Sequence, residues 1–289
     1  MTEIFLNDKC YKLPENWTEV NPAQLPELLT LLYVYPESGG TYLEILRTIL
    51  GYPPGLWKKL MCHYFAGHRT EEQHEENAQA LQGVLGQISW MWQGELTVCP
   101  LPEGFDVDGT RWVLFEEGFR SMSFGELTNA HINAQAFIKQ LVEGDERLNM
   151  LVATVCRPRR SGNYMDDPDW NGDHREQYNE HIARHRADLI KDGYIKEKIL
   201  VLMYFLGTLK EFFSFYDLFD SDATGPAPTE DYPGQSMVKN QHLLSEKHIF
   251  GGMNATKSAN IHDVFQFLEE HKKDIKEQNQ RNQAANDAN

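Results

Sequence analysis

Between Ser123 and Pro158 the chain carries two apolar faces at helical spacing, each with its own start and stop signals, and packed helices satisfy that pattern. Ser123-Phe124-Gly125-Glu126 has the S-x-x-E form of a capping box, in which the Ser123 hydroxyl takes the Glu126 amide and the Glu126 side chain answers the Ser123 amide. Leu127, Ala130, His131, Ala134, Phe137, Ile138 and Leu141 then recur at intervals of three and four. Gly144-Asp145 breaks the chain. Leu148, Leu151, Val152, Val155 and Cys156 mark a second face, and Pro158 stops it.

The same grammar runs through the rest. Asn21-Pro22 predicts a helix start with Leu25, Leu28, Leu29, Leu32 and Tyr35 turned inward. Thr41-Tyr42-Leu43-Glu44 reads as a second capping box ahead of Ile45, Leu46, Ile49 and Leu50. Pro53-Pro54 opens a third helix, and Thr70-Glu71-Glu72-Gln73 a polar fourth that turns apolar through Leu81, Val84, Leu85, Ile88 and Trp92. A charged helix is predicted over 175–191, with Tyr178, Ile182 and Leu189 inward. A central core helix is predicted over 195–215 on the stripe Ile195, Ile199, Leu202, Met203, Leu206, Leu209 and Phe213. Short strands are expected over 2–13, around an Asn7-Asp8 turn, and over 95–116, where ELTVCPLP and TRWVLFEEG flank GFDVDG. The fold class is therefore mainly α: a bundle-like body of many helices with a small β-hairpin insertion. Three parts are expected. They are a body over 1–219, a Gly/Pro-containing linker over 220–236, and a C-terminal helical segment over 237–289. In the last part a short helix at 239–248 precedes one capped by Asn260, and beyond Glu270 a polar tail has nothing to bury and is expected to be disordered.

Charge narrows the classes of partner. Forty-three acidic against 27 basic residues give a formal net charge of -16, which opposes nonspecific attraction to nucleic acid or anionic lipid. The longest apolar run, ILVLMYFLG, is far shorter than the roughly 20 residues a spanning helix needs. The opening MTEIFLNDKCYKLPENW lacks the basic start and continuous apolar run of a signal peptide. Cys10, Cys62, Cys99 and Cys156 are far apart and form no C-x-x-C, so reduced thiols packed like small hydrophobes are expected.

Few residues carry recognisable chemistry. Asp167-Pro168-Asp169-Trp170-Asn171-Gly172 repeats the first half of a calcium loop, but Tyr178 stands where the bidentate Glu is needed, so a polar surface turn accounts for it better. Asp220 to Gly225 repeats the pattern more weakly inside the expected linker. His181 and His185 lie four apart on the charged helix, with His174 one more turn and seven residues before His181. Neither Glu180 nor Asp188 converges with them as a third ligand. His63, His68 and His131 stand alone, and G-x-S-x-G, H-E-x-x-H, Walker and dinucleotide motifs are missing from the sequence. No catalytic, cofactor-binding or metal residue is assigned. Arg157, Arg159 and Arg160 form the one basic cluster worth placing. They read as a charge cap on the preceding helix C-terminus, held against Glu116, Glu117 or the 166–173 loop, or else as a docking point for an acidic partner or phosphate.

The opening YKLPENWTEVNPAQLPEL resembles the start of proteins encoded in tail-gene clusters of phages and prophages of Bacteroidetes-type bacteria. The middle is similar too. Phe124, Gly125, Glu126 and Leu127 match a "T-x-G-E-F/L" helix start in that family, and Leu151, Val152, Ala153, Arg157 and Pro158 match an "L-A-x-L-x-R-P" helix end, with Cys156 at a position that is more usually tyrosine. The resemblance covers about Phe5 to Phe219 and implies a non-enzymatic tail-morphogenesis factor in the bacterial host cytoplasm, acting as an assembly chaperone for a long helical tail protein. Its implied partner is a tail or tape-measure-like protein, with no cofactor, nucleic acid or membrane involved, and oligomeric state left open. A structural component of the tail or connector is the first alternative, and a metal- or calcium-binding protein or enzyme the second.

Overall fold

The computed structural model describes residues 1–6, 9–168, 170–218 and 230–287. Helix makes up 60% of the chain in eleven helices among the described residues, so sheet is confined to one two-stranded and one three-stranded antiparallel patch. The contacts divide the chain into two units, Met1–Pro100 and Leu101–Asn289.

The first unit opens with the hairpin β1 (Thr2–Leu6) and β2 (Lys9–Leu13), paired from Thr2↔Leu13 to Leu6↔Lys9. The expected Asn7-Asp8 turn lies outside the described residues. Asn21 does cap a start, accepting the Ala23 amide at 3.0 Å, but Pro22–Gln24 is a 3-10 turn and the α-helix proper is α1 (Leu25–Val34), with Pro26 in its first turn. The second helix begins earlier than Thr41. Ser38 is the cap of α2 (Gly39–Ile49), its hydroxyl taking the Thr41 amide at 3.2 Å, while Glu44 turns outward to Arg47 at 2.6 Å. Next come α3 (Pro54–Tyr64) and α4 (Glu71–Gly86), the latter with the full Thr70/Gln73 capping box. Two indoles close the unit. Trp17 and Trp90 meet edge to face at 5.1 Å, Trp17 Nε1 donating to the Gly94 carbonyl at 2.9 Å and Trp90 Nε1 to that of Pro14 at 2.8 Å.

In the second unit the β insertion is displaced from its expected place. ELTVCPLP forms no strand. GFDVDG itself supplies β3 (Phe105–Val107) and the turn, and β4 (Thr110–Val113) returns. Gly104 has φ +72° and sits so close to the returning strand that a Cβ there would lie 1.9 Å from the Trp112 carbonyl oxygen. Helices α5 (Phe124–Ile138) and α6 (Glu146–Val155) pack on each other, but the predicted α5 face runs out early, with Ile138 47% and Leu141 56% exposed and Leu141 beyond the helix, and β5 (Arg157–Pro158) leaves α6 to pair with Trp112 and Val113 of β4. The charged helix is shorter than expected: α7 (Glu180–Leu189) starts at Asn179, whose side chain accepts two amides.

The core helix α8 (Ile195–Ser214) buries Leu202 and Leu209 of the predicted stripe, but its buried face is wider and turned away from the rest of it. Lys198, Val201, Phe205, Thr208 and Phe212 point inward with Leu200 and Tyr204, while Ile195 is 56% exposed. The pattern misled because Lys198, a charged residue, occupies an inner position: its ammonium reaches Asp145 at 3.1 Å and the Lys191 carbonyl at 3.3 Å. Phe115 stacks on Tyr204 at 4.8 Å, and Phe119, Phe205, Phe212 and Phe265 continue the aromatic core.

Most of the expected linker lies outside the described residues, but its end does not: α9 (Gln235–Glu246) already begins within 220–236. After α9 comes the short helix α10 (Met253–Ser258). The last helix, α11 (Ile261–Asp287), runs through the expected tail. Asn260 caps it, taking the His262 amide at 2.9 Å, and Ile261, Val264 and Phe265 are buried in the same unit as α5 and α8. The C-terminal segment thus packs within the second unit up to about Phe265. Among the described residues no helix is long and apolar enough to cross a membrane.

Candidate functional site

In the second unit a polar cleft of about 690 Å³ opens where the α5 N-terminus, the 157–180 connection and α10 converge. Backbone pairing fixes its floor. After α6, the chain runs extended with β5 on one edge against β4. On the other edge Glu176 N–H donates to the Pro158 carbonyl at 2.9 Å and Arg160 N–H to that of His174 at 2.8 Å. This pins both ends of the 161–173 loop. It also places Arg157 and Arg175 behind the first turn of α5.

Four charged side chains meet there out of water: Glu126, Arg157 and Arg175 are each 1% exposed, and Asp173 is 4% exposed. Glu126 Oε1 lies 2.7 Å from both Arg157 Nη1 and Arg175 Nη1. Asp173 takes Arg157 Nη2 at 2.9 Å and both Nε and Nη2 of Arg175 at 2.8 and 3.0 Å. The spare donors are also used. Arg157 Nη1 reaches the Thr154 carbonyl at 2.7 Å and its Nε that of Glu176 at 2.7 Å, while Arg175 Nη1 reaches that of Val155 at 2.8 Å. Two cations and two anions so arranged neutralise one another and satisfy the orphan carbonyls at the end of α6. Burial would push the Asp173 carboxyl up, but Arg175 and Arg157 beside it hold it below the usual carboxylate range. Arg175 is held fully charged: Glu126 and Asp173 outweigh its burial and drive its pKa upward.

Around this floor the walls are polar. Asn129 Nδ2 donates to the Tyr178 hydroxyl at 2.7 Å, and burial pushes that phenol up to about 12 against the effect of this bond. Ser121, only 4% exposed, lines the cleft, and its hydroxyl has no hydrogen-bond partner among the described residues. Arg160 and Lys257 stand on the wall as well.

The three sequence-predicted arginines separate. Arg157 is wholly internal, Arg159 is exposed, and Arg160 is half-buried on the cleft wall, its Nε on the Arg175 carbonyl at 2.7 Å and its guanidinium over the Tyr164 ring at 5.8 Å. Glu116 and Glu117 are not their partners; Arg157 pairs with Asp173 of the loop and with Glu126. The capping box is half made. Ser123 takes the Glu126 amide at 3.2 Å, but the Glu126 side chain turns to the arginines rather than back to Ser123. Glu126, Asp173 and Arg175 were missed as a group. The available signal was Asp173-His174-Arg175, which in extended chain puts Asp and Arg on one side.

The other candidates disperse. His174 joins Tyr164 and Trp170 in an aromatic cluster, with Nδ1 3.0 Å from the Tyr164 hydroxyl, while His181 and His185 are exposed on α7. Among the described residues no group of three or more His, Cys, Asp or Glu is arranged to hold a metal ion. Asp169 and the Asp220–Gly225 stretch lie outside them. His131 packs against Phe213 and is kept toward its neutral form by burial. All four cysteines are thiols, but Cys10 and Cys62 are exposed and so are not packed as expected. Comparison with models of protein families, with curated proteins and with solved structures found no match.

Proposed function

We propose that this protein is a non-enzymatic tail-morphogenesis factor of a phage or prophage, an assembly chaperone that holds a segment of a long helical tail protein. The observation that carries this reading is the cleft. It is open, lined by amides, hydroxyls, cations and the Glu180 carboxylate, and set on a floor whose own charges cancel, a combination suited to holding a polar partner segment without performing chemistry on it. The helix-start phrase Phe124-Gly125-Glu126-Leu127 and the helix-end phrase ending at Arg157-Pro158, on which the family resemblance rests, both border this site. A net charge of -16 suits a protein that must keep an aggregation-prone client in solution.

Co-expression with the product of a neighbouring long tape-measure-like gene tests the proposal. The two proteins should co-purify, and the soluble fraction of the partner should rise. Neither happening contradicts a chaperone. Mass spectrometry of purified particles separates the structural alternative, because a chaperone is absent from them and a tail or connector component is present in stoichiometric amount.

A further inference from the structure

We infer that the cleft recognises an acidic peptide segment, with Arg160 and Lys257 as the cations that meet the partner's carboxylates. The inference rests on the partner-binding reading above and names the chemistry of what is bound. Most charges around the cleft are already paired. On the floor, Arg157 and Arg175 are matched by Glu126 and Asp173. On the rim, Glu180 is paired with Arg184 at 2.9 Å. Arg160 and Lys257 are the wall cations without an ion pair among the described residues, and Lys257 is exposed. Two uncompensated cations lining one cleft of a chain with net charge -16 mark a local site for an anionic partner.

Two further features point the same way. The N-terminal ends of α5 and α7 both border the cleft, at Gly125 and Glu126 and at Asn179 and Glu180, and each helix start adds partial positive charge. Ser121 is a buried hydroxyl without a partner in the same wall, the kind of group that a bound ligand satisfies. A volume of about 690 Å³ is far more than one small oxyanion fills, and Asn129, Gln177 and Asn254 offer the paired donors and acceptors that peptide groups need.

The test is calorimetric titration of the full chain with a blocked hexapeptide carrying two central aspartates, beside its asparagine counterpart. The aspartate peptide should bind at least tenfold tighter. Lys257→Ala, which keeps the Cβ that packs near Gly125, should weaken it roughly fivefold with the melting temperature unchanged, and Arg160→Gln should weaken it as much with a small fall in melting temperature from the lost bond to the Arg175 carbonyl. Equal affinity for the two peptides, no binding of the acidic one at millimolar concentration, or indifference to both substitutions overturns the inference. So does tight binding of inorganic phosphate without the peptide, which would make this a small-oxyanion site. Peptide binding together with failed co-expression would overturn the chaperone reading alone. Co-purification that survives both substitutions would overturn the carboxylate site alone.

Discussion

Replacing Arg175 by Met removes the centre of the buried charge cluster while keeping most of its bulk. The loss is specific. Asp173 forfeits two side-chain bonds, at 2.8 and 3.0 Å, and Glu126 two, at 2.7 and 3.4 Å, leaving two carboxylates to share Arg157. All four groups are at most 4% exposed, so water does not step in. Breaking a buried pair from one side costs about 3–5 kcal/mol. For a unit the size of Leu101–Asn289, each kcal/mol moves the midpoint by about 2–4 °C, so the fall should be roughly 6–20 °C. Differential scanning calorimetry is the assay, since a chain of two units can melt in two steps and only the transition of the second should move. Removing both partners, as Arg175→Met with Glu126→Met, leaves the neutral pair Arg157–Asp173. The double variant should therefore be about 1–3 kcal/mol more stable than the sum of the single effects predicts. A single variant that melts within about 3 °C of the parent, or strictly additive effects, would refute the claim that the cluster is desolvated and mutually compensating.

Other outcomes follow from the same geometry. Asp173 has a folded-state pKa below its ordinary value, so its contribution is present above the ordinary Asp range and is lost as pH falls through the depressed value. Asp173→Asn should flatten the acid limb of a stability–pH profile measured by urea titration. Tyr178 is shifted the other way. Its phenol should ionise near 12 in a spectrophotometric titration and disappear from that range in Tyr178→Phe; stability tied to its neutral form is intact below about 10 and lost between about 10 and about 12. Gly104→Ala puts a Cβ 1.9 Å from the Trp112 carbonyl oxygen at φ +72° and should cost at least ~2 kcal/mol by chemical denaturation, with loss of the β3–β4 hairpin signals in NMR. Trp17→Phe removes the bond to Gly94 and half of the edge-to-face pair, so it should lower the stability of the first unit by about 1–3 kcal/mol and shift the emission of Trp90.

Helix positions were legible in the sequence where a cap and an apolar stripe agreed. Thr70-Glu71-Glu72-Gln73 and Asn260 act as read, and α5 and α6 fall where Ser123 and Pro158 bound them. Reading failed where a polar residue had a tertiary partner. Lys198 looked like the outer face of α8 yet is 1% exposed with Asp145, which rotated the predicted stripe. Glu126 looked like half of a local capping box, but two guanidiniums 31 and 49 residues away in sequence claim it. The site was legible only through Arg160 and its neighbours, because the cleft is assembled from three segments whose proximity is set by the β4–β5 pairing and by the 158–176 contacts. Strand signals at 95–102 were β-like in composition but lacked the glycine turn that selected residues 105–113 instead.

The central claim is that a partner segment sits in the cleft of the second unit. Hydrogen–deuterium exchange on the chain alone and in complex with the co-expressed tail protein tests it most directly. The account predicts slowed exchange concentrated in the 120–129, 171–180 and 254–258 segments, with the first unit unchanged. A stable complex whose protection lies elsewhere, with those three segments exchanging as in the free chain, would contradict it.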